Sequence, residues 1–151
     1  MPASPACSET GDPLLLTPGP LTTSKSVKEV MVHDWGSRDG TFISINQSVL
    51  DRIVEIAGAG GSHVCVPMQG SGTFAVEAMI TCFVPRDGKM LILVNGAYGK
   101  RAAKICDYAN RAHEIYETPE DTPPSVAEVE ELLKKDPSIT HVFAVHCETT
   151  S

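Results

Sequence analysis

Lys89-Met90-Leu91-Ile92-Leu93-Val94-Asn95-Gly96-Ala97-Tyr98 is the stretch on which the reading of this chain turns. The apolar run Met90 to Val94 has the length of a buried strand. Arg86-Asp87-Gly88 turns into it, and Asn95-Gly96-Ala97 leads out of it into a helix expected from Tyr98 to Ala109. A second strand is expected over Ala112 to Tyr116. A strand, a helix and a strand in that order, with continuous apolar strands, specify a parallel sheet covered by helices on both faces.

The alternation extends in both directions. Upstream, His63 to Pro67 is expected as a buried strand, Gln69-Gly70-Ser71-Gly72 as a loop, and Thr73 to Phe83 as a helix. Downstream, Thr118 to Pro124 is a Pro/Asp loop, and Ser125 caps a helix with Glu128 completing a capping box. That helix directs Val126, Val129, Leu132 and Leu133 inward. Asp136-Pro137 stops it, and Thr140 to His146 is a further strand. Nearer the start, a short helix is expected from Ser24 to Val32, and Asn46 caps one that runs to Ala57 and ends at Gly58. Residues 1–13 form a flexible tail, 14–45 an arm that includes Thr17-Pro18-Gly19-Pro20, and 46–151 an α/β domain.

Parallel sheets bind ligands outside the carboxyl ends of their strands. Those ends carry Gln69-Gly70-Ser71-Gly72-Thr73, Asn95-Gly96-Ala97-Tyr98 and His146-Cys147-Glu148-Thr149-Thr150. Gly70-Ser71-Gly72-Thr73 opens a helix, so its backbone amides point at whatever lies there. A phosphate would gain ~0.3–2 kcal/mol from the helix dipole, with hydrogen bonds from Ser71 and Thr73 in addition. A tight turn that binds nothing is the plain alternative. Gly70 to Ala75 also fits a dinucleotide fingerprint, but the next strand ends in Val94-Asn95-Gly96 where that fingerprint needs an acid. No Gly-Lys-Ser/Thr follows the glycines, which excludes a P-loop.

The chain has 12 Lys+Arg against 19 Asp+Glu, a net charge of −7. This argues against nucleic acid or an anionic membrane as the main partner, while leaving room for a locally positive pocket. No apolar run approaches the ~18 residues of a membrane span, and residues 1–13 lack the pattern of a signal peptide. A soluble, cytoplasmic protein is expected. Cys7, Cys65, Cys82, Cys106 and Cys147 form no C-x-x-C pair and read as small buried hydrophobes, with no disulfide frame and no metal site.

Leu14-Leu15-Leu16-Thr17-Pro18-Gly19-Pro20-Leu21-Thr22-Thr23, Gln69 to Thr73, Asn95-Gly96-Ala97-Tyr98-Gly99 and His146 to Thr150, taken in order, resemble the 2-aminoethylphosphonate–pyruvate transaminase family. These are fold-type I pyridoxal-phosphate enzymes. The likeness covers nearly the whole chain after residue 13. Leu-Thr-Pro-Gly-Pro alone would fit several relatives. The Leu21-Thr22-Thr23 continuation and His-Cys-Glu-Thr-Thr favour this family over the alanine–glyoxylate enzymes, which resemble His-Gly-Glu-Ser-Ser there.

The resemblance implies part of the large domain of a fold-type I transferase. Pyridoxal 5'-phosphate would have its phosphate cradled by Ser71, Gly72 and Thr73, Tyr98 over the ring, and Thr149 near the ring hydroxyl. The substrates would be 2-aminoethylphosphonate and pyruvate, and the full enzyme a homodimer. The resemblance also places the Schiff-base lysine, its partner aspartate and the small C-terminal domain downstream of Ser151. By itself the chain is therefore expected to be an inactive fragment. The alternatives are an alanine–glyoxylate or serine–pyruvate type of aminotransferase, or a phosphate-binding α/β domain without chemistry.

Overall fold

The structure is a computed structural model that describes residues 7–17 and 19–150. It divides into two compact units, the first ending at Val66 and the second beginning at Pro67.

The first unit holds α1 (Lys25–Met31) and α2 (Gly40–Ile56). Ser24 caps α1, its hydroxyl accepting from the Val27 amide. The described part of the N-terminal tail, residues 7–13, is a turn closed by an isolated bridge between Cys7 and Pro13. Lys28 ties it to α1, with Nζ 2.7 Å from both Asp12 Oδ2 and Thr10 Oγ1. Of the Thr17-Pro18-Gly19-Pro20 segment, Pro18 lies outside the described residues.

Helix α2 starts six residues before the expected cap at Asn46. Asp39 Oδ1 accepts from the Thr41 and Phe42 amides at 2.8 and 3.2 Å, so the first carboxylate able to reach two free amides sets the start. Gly58 ends the helix as expected, its amide and that of Ala59 returning to the Glu55 and Val54 carbonyls. Residues 63–67, expected as a buried strand, form none. Val64 and Val66 are 84% and 70% exposed, because an apolar run becomes a strand only beside a strand it can pair with.

In the second unit, α3 (Gly72–Phe83) precedes β1 (Lys89–Val94), then α4 (Ala97–Tyr108), β2 (Ala112–Glu117), α5 (Val126–Lys135) and β3 (Ile139–Ala144). The strands form one parallel sheet in the order β2-β1-β3. The apolar run that opened the sequence reading is thus the central strand. Met90, Ile92 and Val94 point to one face and pack with Ile80 and Val84 of the α3 end and Ala102, Ala103, Ile105 and Cys106 of α4. Leu91, pointing the other way, is also fully buried. From β2 the chain crosses β1 to reach β3, reversing its direction across the sheet. The right-handed sense of such connections puts α5 on the face opposite α4.

Two polar devices tie the elements together. Lys89 Nζ, at the start of β1, lies 2.9 Å from Glu114 Oε2 on β2 and 2.6 Å from Asp136 Oδ2 at the end of α5. Arg111 donates to the Val84, Ala109 and Thr81 carbonyls, satisfying acceptors at the end of α3 from the start of β2.

Several local expectations need correction. Only Cys106 is buried; Cys7, Cys82 and Cys147 are exposed and Cys65 is intermediate, so an apolar sequence neighbourhood did not report burial for them. The capping box forms by half. The Ser125 hydroxyl accepts from the Glu128 amide, but the Glu128 carboxylate is taken by the Tyr116 hydroxyl, which also accepts from the Ser125 amide. Val126, in the first turn of α5, stays 75% exposed. Strand β3 stops two residues short of His146, where the chain turns towards α4.

Candidate functional site

Because all three strands are parallel, their carboxyl ends lie on one edge, and there a pocket of ≈ 580 Å³ opens between α3, α4 and the segment after β3. Ser71, Gly72, Thr73, Tyr98 and Thr149, all five residues singled out from the sequence, line it. Val76, Ala102 and Phe143 form its apolar floor, and Arg101 and Cys147 complete the polar wall. Among the described residues no carboxylate lines it, in a chain whose net charge is −7.

The N-terminus of α3 is left open to ligands. Gly70 turns the chain at φ +123°, Ser71 is the N-cap, and the Ser71 side chain makes no capping hydrogen bond. The Phe74 amide returns to the Ser71 carbonyl at 2.9 Å, which leaves the Gly72 and Thr73 amides as the ones able to meet an anion. The N-terminus of α4 is closed instead. Its N-cap, Gly96, has no side chain to offer, and the closing groups come from beyond β3. Glu148 Oε2 accepts from the Tyr98 amide at 2.9 Å, and Thr150 Oγ1 accepts from the Ala97 amide at 3.0 Å. Thr150 in turn donates to Glu148 Oε1 from its hydroxyl at 2.9 Å and its amide at 3.3 Å.

Glu148 is 8% exposed, a buried carboxylate among the described residues. Burial pushes its carboxyl up, but the Thr150 hydroxyl and the amides of Tyr98, Thr150 and Gly99 more than offset this. The group sits below the ordinary carboxylate range and is ionised at neutral pH.

Arg101 sits one turn along α4 from Tyr98. Its guanidinium lies 4.9 Å from the centre of the Tyr98 ring, and Nη1 donates to Thr73 Oγ1 at 3.1 Å. It thereby connects the open helix terminus to the aromatic wall, and among the described residues it makes no ion pair within 4.0 Å. Sequence reasoning missed both Arg101 and Glu148. The i,i+3 spacing of Tyr98 and Arg101 was a usable signal. The role of Glu148 needed the knowledge that the segment after β3 folds onto α4. None of the seven lysines lines the pocket. His146 and Asn95 lie in a neighbouring depression with Glu120 and Asp121.

Solved structures that share this fold include aminotransferases. The alanine–glyoxylate aminotransferase from Nostoc sp. superposes with a TM-score of 0.78 over 98% of this chain and 38% of that one, at 24% identity. The ureidoglycine–glyoxylate aminotransferase from Bacillus subtilis gives 0.78 over 87% and 34%, at 22% identity. The fold is therefore one that these aminotransferases share. The sequence likeness is narrower and falls on the 2-aminoethylphosphonate–pyruvate transaminases, as the ordered segments implied. The chain is 56% identical over 139 residues to that of Pseudomonas aeruginosa (strain UCBPP-PA14), covering 92% of this chain and 38% of the enzyme. It is 58% identical over 138 residues to transaminase 1 of Cupriavidus pinatubonensis (strain JMP 134 / LMG 1197), covering 91% and 36%. It spans less than two-fifths of the length of these curated relatives. No family profile matches the chain. No helix among the described residues is long and apolar enough to cross a membrane.

Proposed function

We propose that the chain forms the cofactor-cradling part of a transaminase that moves the amino group of 2-aminoethylphosphonate to pyruvate, giving phosphonoacetaldehyde and L-alanine. The observation that carries this reading is the lining of the pocket. An open helix terminus with Ser71 and Thr73, a guanidinium, an aromatic ring and Thr149 meet there with no carboxylate among them. Such a set suits a flat aromatic ring bearing a phosphate dianion. Pyridoxal 5'-phosphate has that chemistry.

Ser71, Gly72 and Thr73 would hold its phosphate at the start of α3. Tyr98 would lie along the ring and fix its plane, a contact worth ~0.5–1.5 kcal/mol. Thr149 would hydrogen-bond near the ring hydroxyl. Arg101 adds a positive charge beside the cradle. When bound, the cofactor supplies an electron sink for bond breaking at the amino carbon. The contribution of these residues is to bind and orient. We assign the proton-carrying lysine and the aspartate beside the pyridine nitrogen to the length of the relatives that this chain does not span. The likeness at 56% identity supports the phosphonate donor. A homodimer and a cytoplasmic location belong to the same reading, and light scattering on the full-length enzyme tests the first.

The test of function is donor competition. With pyruvate as acceptor, the full-length gene product should form alanine from 2-aminoethylphosphonate in preference to L-serine. Faster transfer from L-serine, or from L-alanine to glyoxylate, would instead support an alanine–glyoxylate type of enzyme.

A further inference from the structure

We infer that Glu148 is a positioning residue for the ring-binding wall of this pocket, holding Tyr98 and Thr149 at a fixed separation; the inference rests on the cofactor reading above. The first observation is the origin of the α4 cap. Helices are usually closed by a side chain at their own N-cap. Here that residue is Gly96, and a Cβ at Gly96 would collide with the Glu148 side chain, so the glycine leaves room for a cap delivered from beyond β3. The second is the division of labour along the segment that delivers it. Cys147 and Thr149 line the pocket, while Glu148 and Thr150 bond to the first amides of α4. One short stretch therefore supplies a wall residue and fastens itself to the helix that carries the facing wall residue.

The third observation is charge. An ionised carboxylate occupies the positive end of α4, which directs an incoming dianion to α3, where the Ser71 side chain makes no capping bond. Glu148 does not line the pocket and acts through Tyr98 and Thr149.

The test separates the anion cradle from the ring wall with two probes. Inorganic phosphate, followed by phosphorus NMR, reports the cradle. Pyridoxal 5'-phosphate, followed by its induced circular dichroism, reports the cradle and the wall together. In the purified protein, Glu148→Ala should leave the phosphate Kd within about twofold of wild type. It should raise the pyridoxal 5'-phosphate Kd about tenfold, the scale of one lost stacking contact, and abolish the induced signal. Glu148→Gln keeps an acceptor oxygen for the Tyr98 amide and should recover binding to within about threefold.

Thermal unfolding establishes that each variant folds. If Glu148→Ala does not, Glu148→Gln and Thr150→Val carry the comparison, with Thr150→Val showing the larger loss for pyridoxal 5'-phosphate. Equal weakening of both probes, or unchanged cofactor binding, overturns the inference alone. A wild-type protein that binds phosphate but no pyridoxal 5'-phosphate overturns the cofactor reading and this inference with it.

Discussion

Gly96 is a position where one methyl group would do harm, because the Glu148 side chain fills the space where a Cβ would stand. Gly96→Ala should destabilise the fold by about 1–3 kcal/mol, read by denaturant unfolding, since the carboxylate would have to leave the helix amides. The aromatic wall responds differently. Tyr98→Trp should keep pyridoxal 5'-phosphate binding close to wild type, while Tyr98→Ala should weaken it by about 0.5–1.5 kcal/mol in a direct titration. A Tyr98→Ala protein that binds as tightly as wild type would remove the ring from the site. At this scale the sequence was informative where chemistry follows from local pattern. Glycines and hydroxyls ahead of a helix start mark a candidate anion site, whereas the missing capping bond from Ser71 is seen only in the structure. Arg101 and Glu148 acquire their meaning only when α4, α3 and the segment after β3 meet, and no local pattern carries that.

The Lys89 cluster makes a prediction at the scale of elements, because it joins β1, β2 and the end of α5 through one ammonium. Hydrogen bonds from Lys89 and Ser138 lower the Asp136 carboxyl from 3.8 to about 2. Its pKa in the folded chain lies below that of the unfolded chain. The stabilisation is therefore complete above about pH 4 and is lost as the pH falls through about 2. Acid titration of stability should show this loss in the wild type, and Lys89→Met should flatten it over the same window. Arg111→Ala should cost about 1–3 kcal/mol in denaturant unfolding, because the Val84 and Thr81 carbonyls lose a charged donor.

The elements that sequence periodicity located well are those whose partners are close in the chain. Strand β1, helix α4 and strand β2 follow one another and pack together. Residues 63–67 have the same apolar pattern but no strand beside them among the described residues, so the pattern alone misled. At α2, a carboxylate able to reach two amides decided the helix start, which periodicity does not see.

For the whole molecule, the fold places five sequence-selected residues around one pocket, and the likeness to known transaminases covers 92% of the chain but only 38% of the Pseudomonas aeruginosa enzyme. The proposed cofactor cradle predicts that none of the seven lysines of this chain is the reactive amine. Borohydride treatment of this 151-residue chain with pyridoxal 5'-phosphate should accordingly leave Lys25, Lys28, Lys89, Lys100, Lys104, Lys134 and Lys135 without a stoichiometric modification, as peptide mass mapping would show. A single fully modified lysine would place the reactive amine within these residues. The central claim, that the carboxyl edge of the sheet cradles this cofactor, is tested most directly by a crystal structure of the protein with pyridoxal 5'-phosphate. The account predicts the phosphate at Ser71, Gly72 and Thr73, with the ring against Tyr98 and its hydroxyl towards Thr149. A cofactor bound in the neighbouring depression of Asn95, Glu120, Asp121 and His146, with the α3 terminus unused, would contradict it.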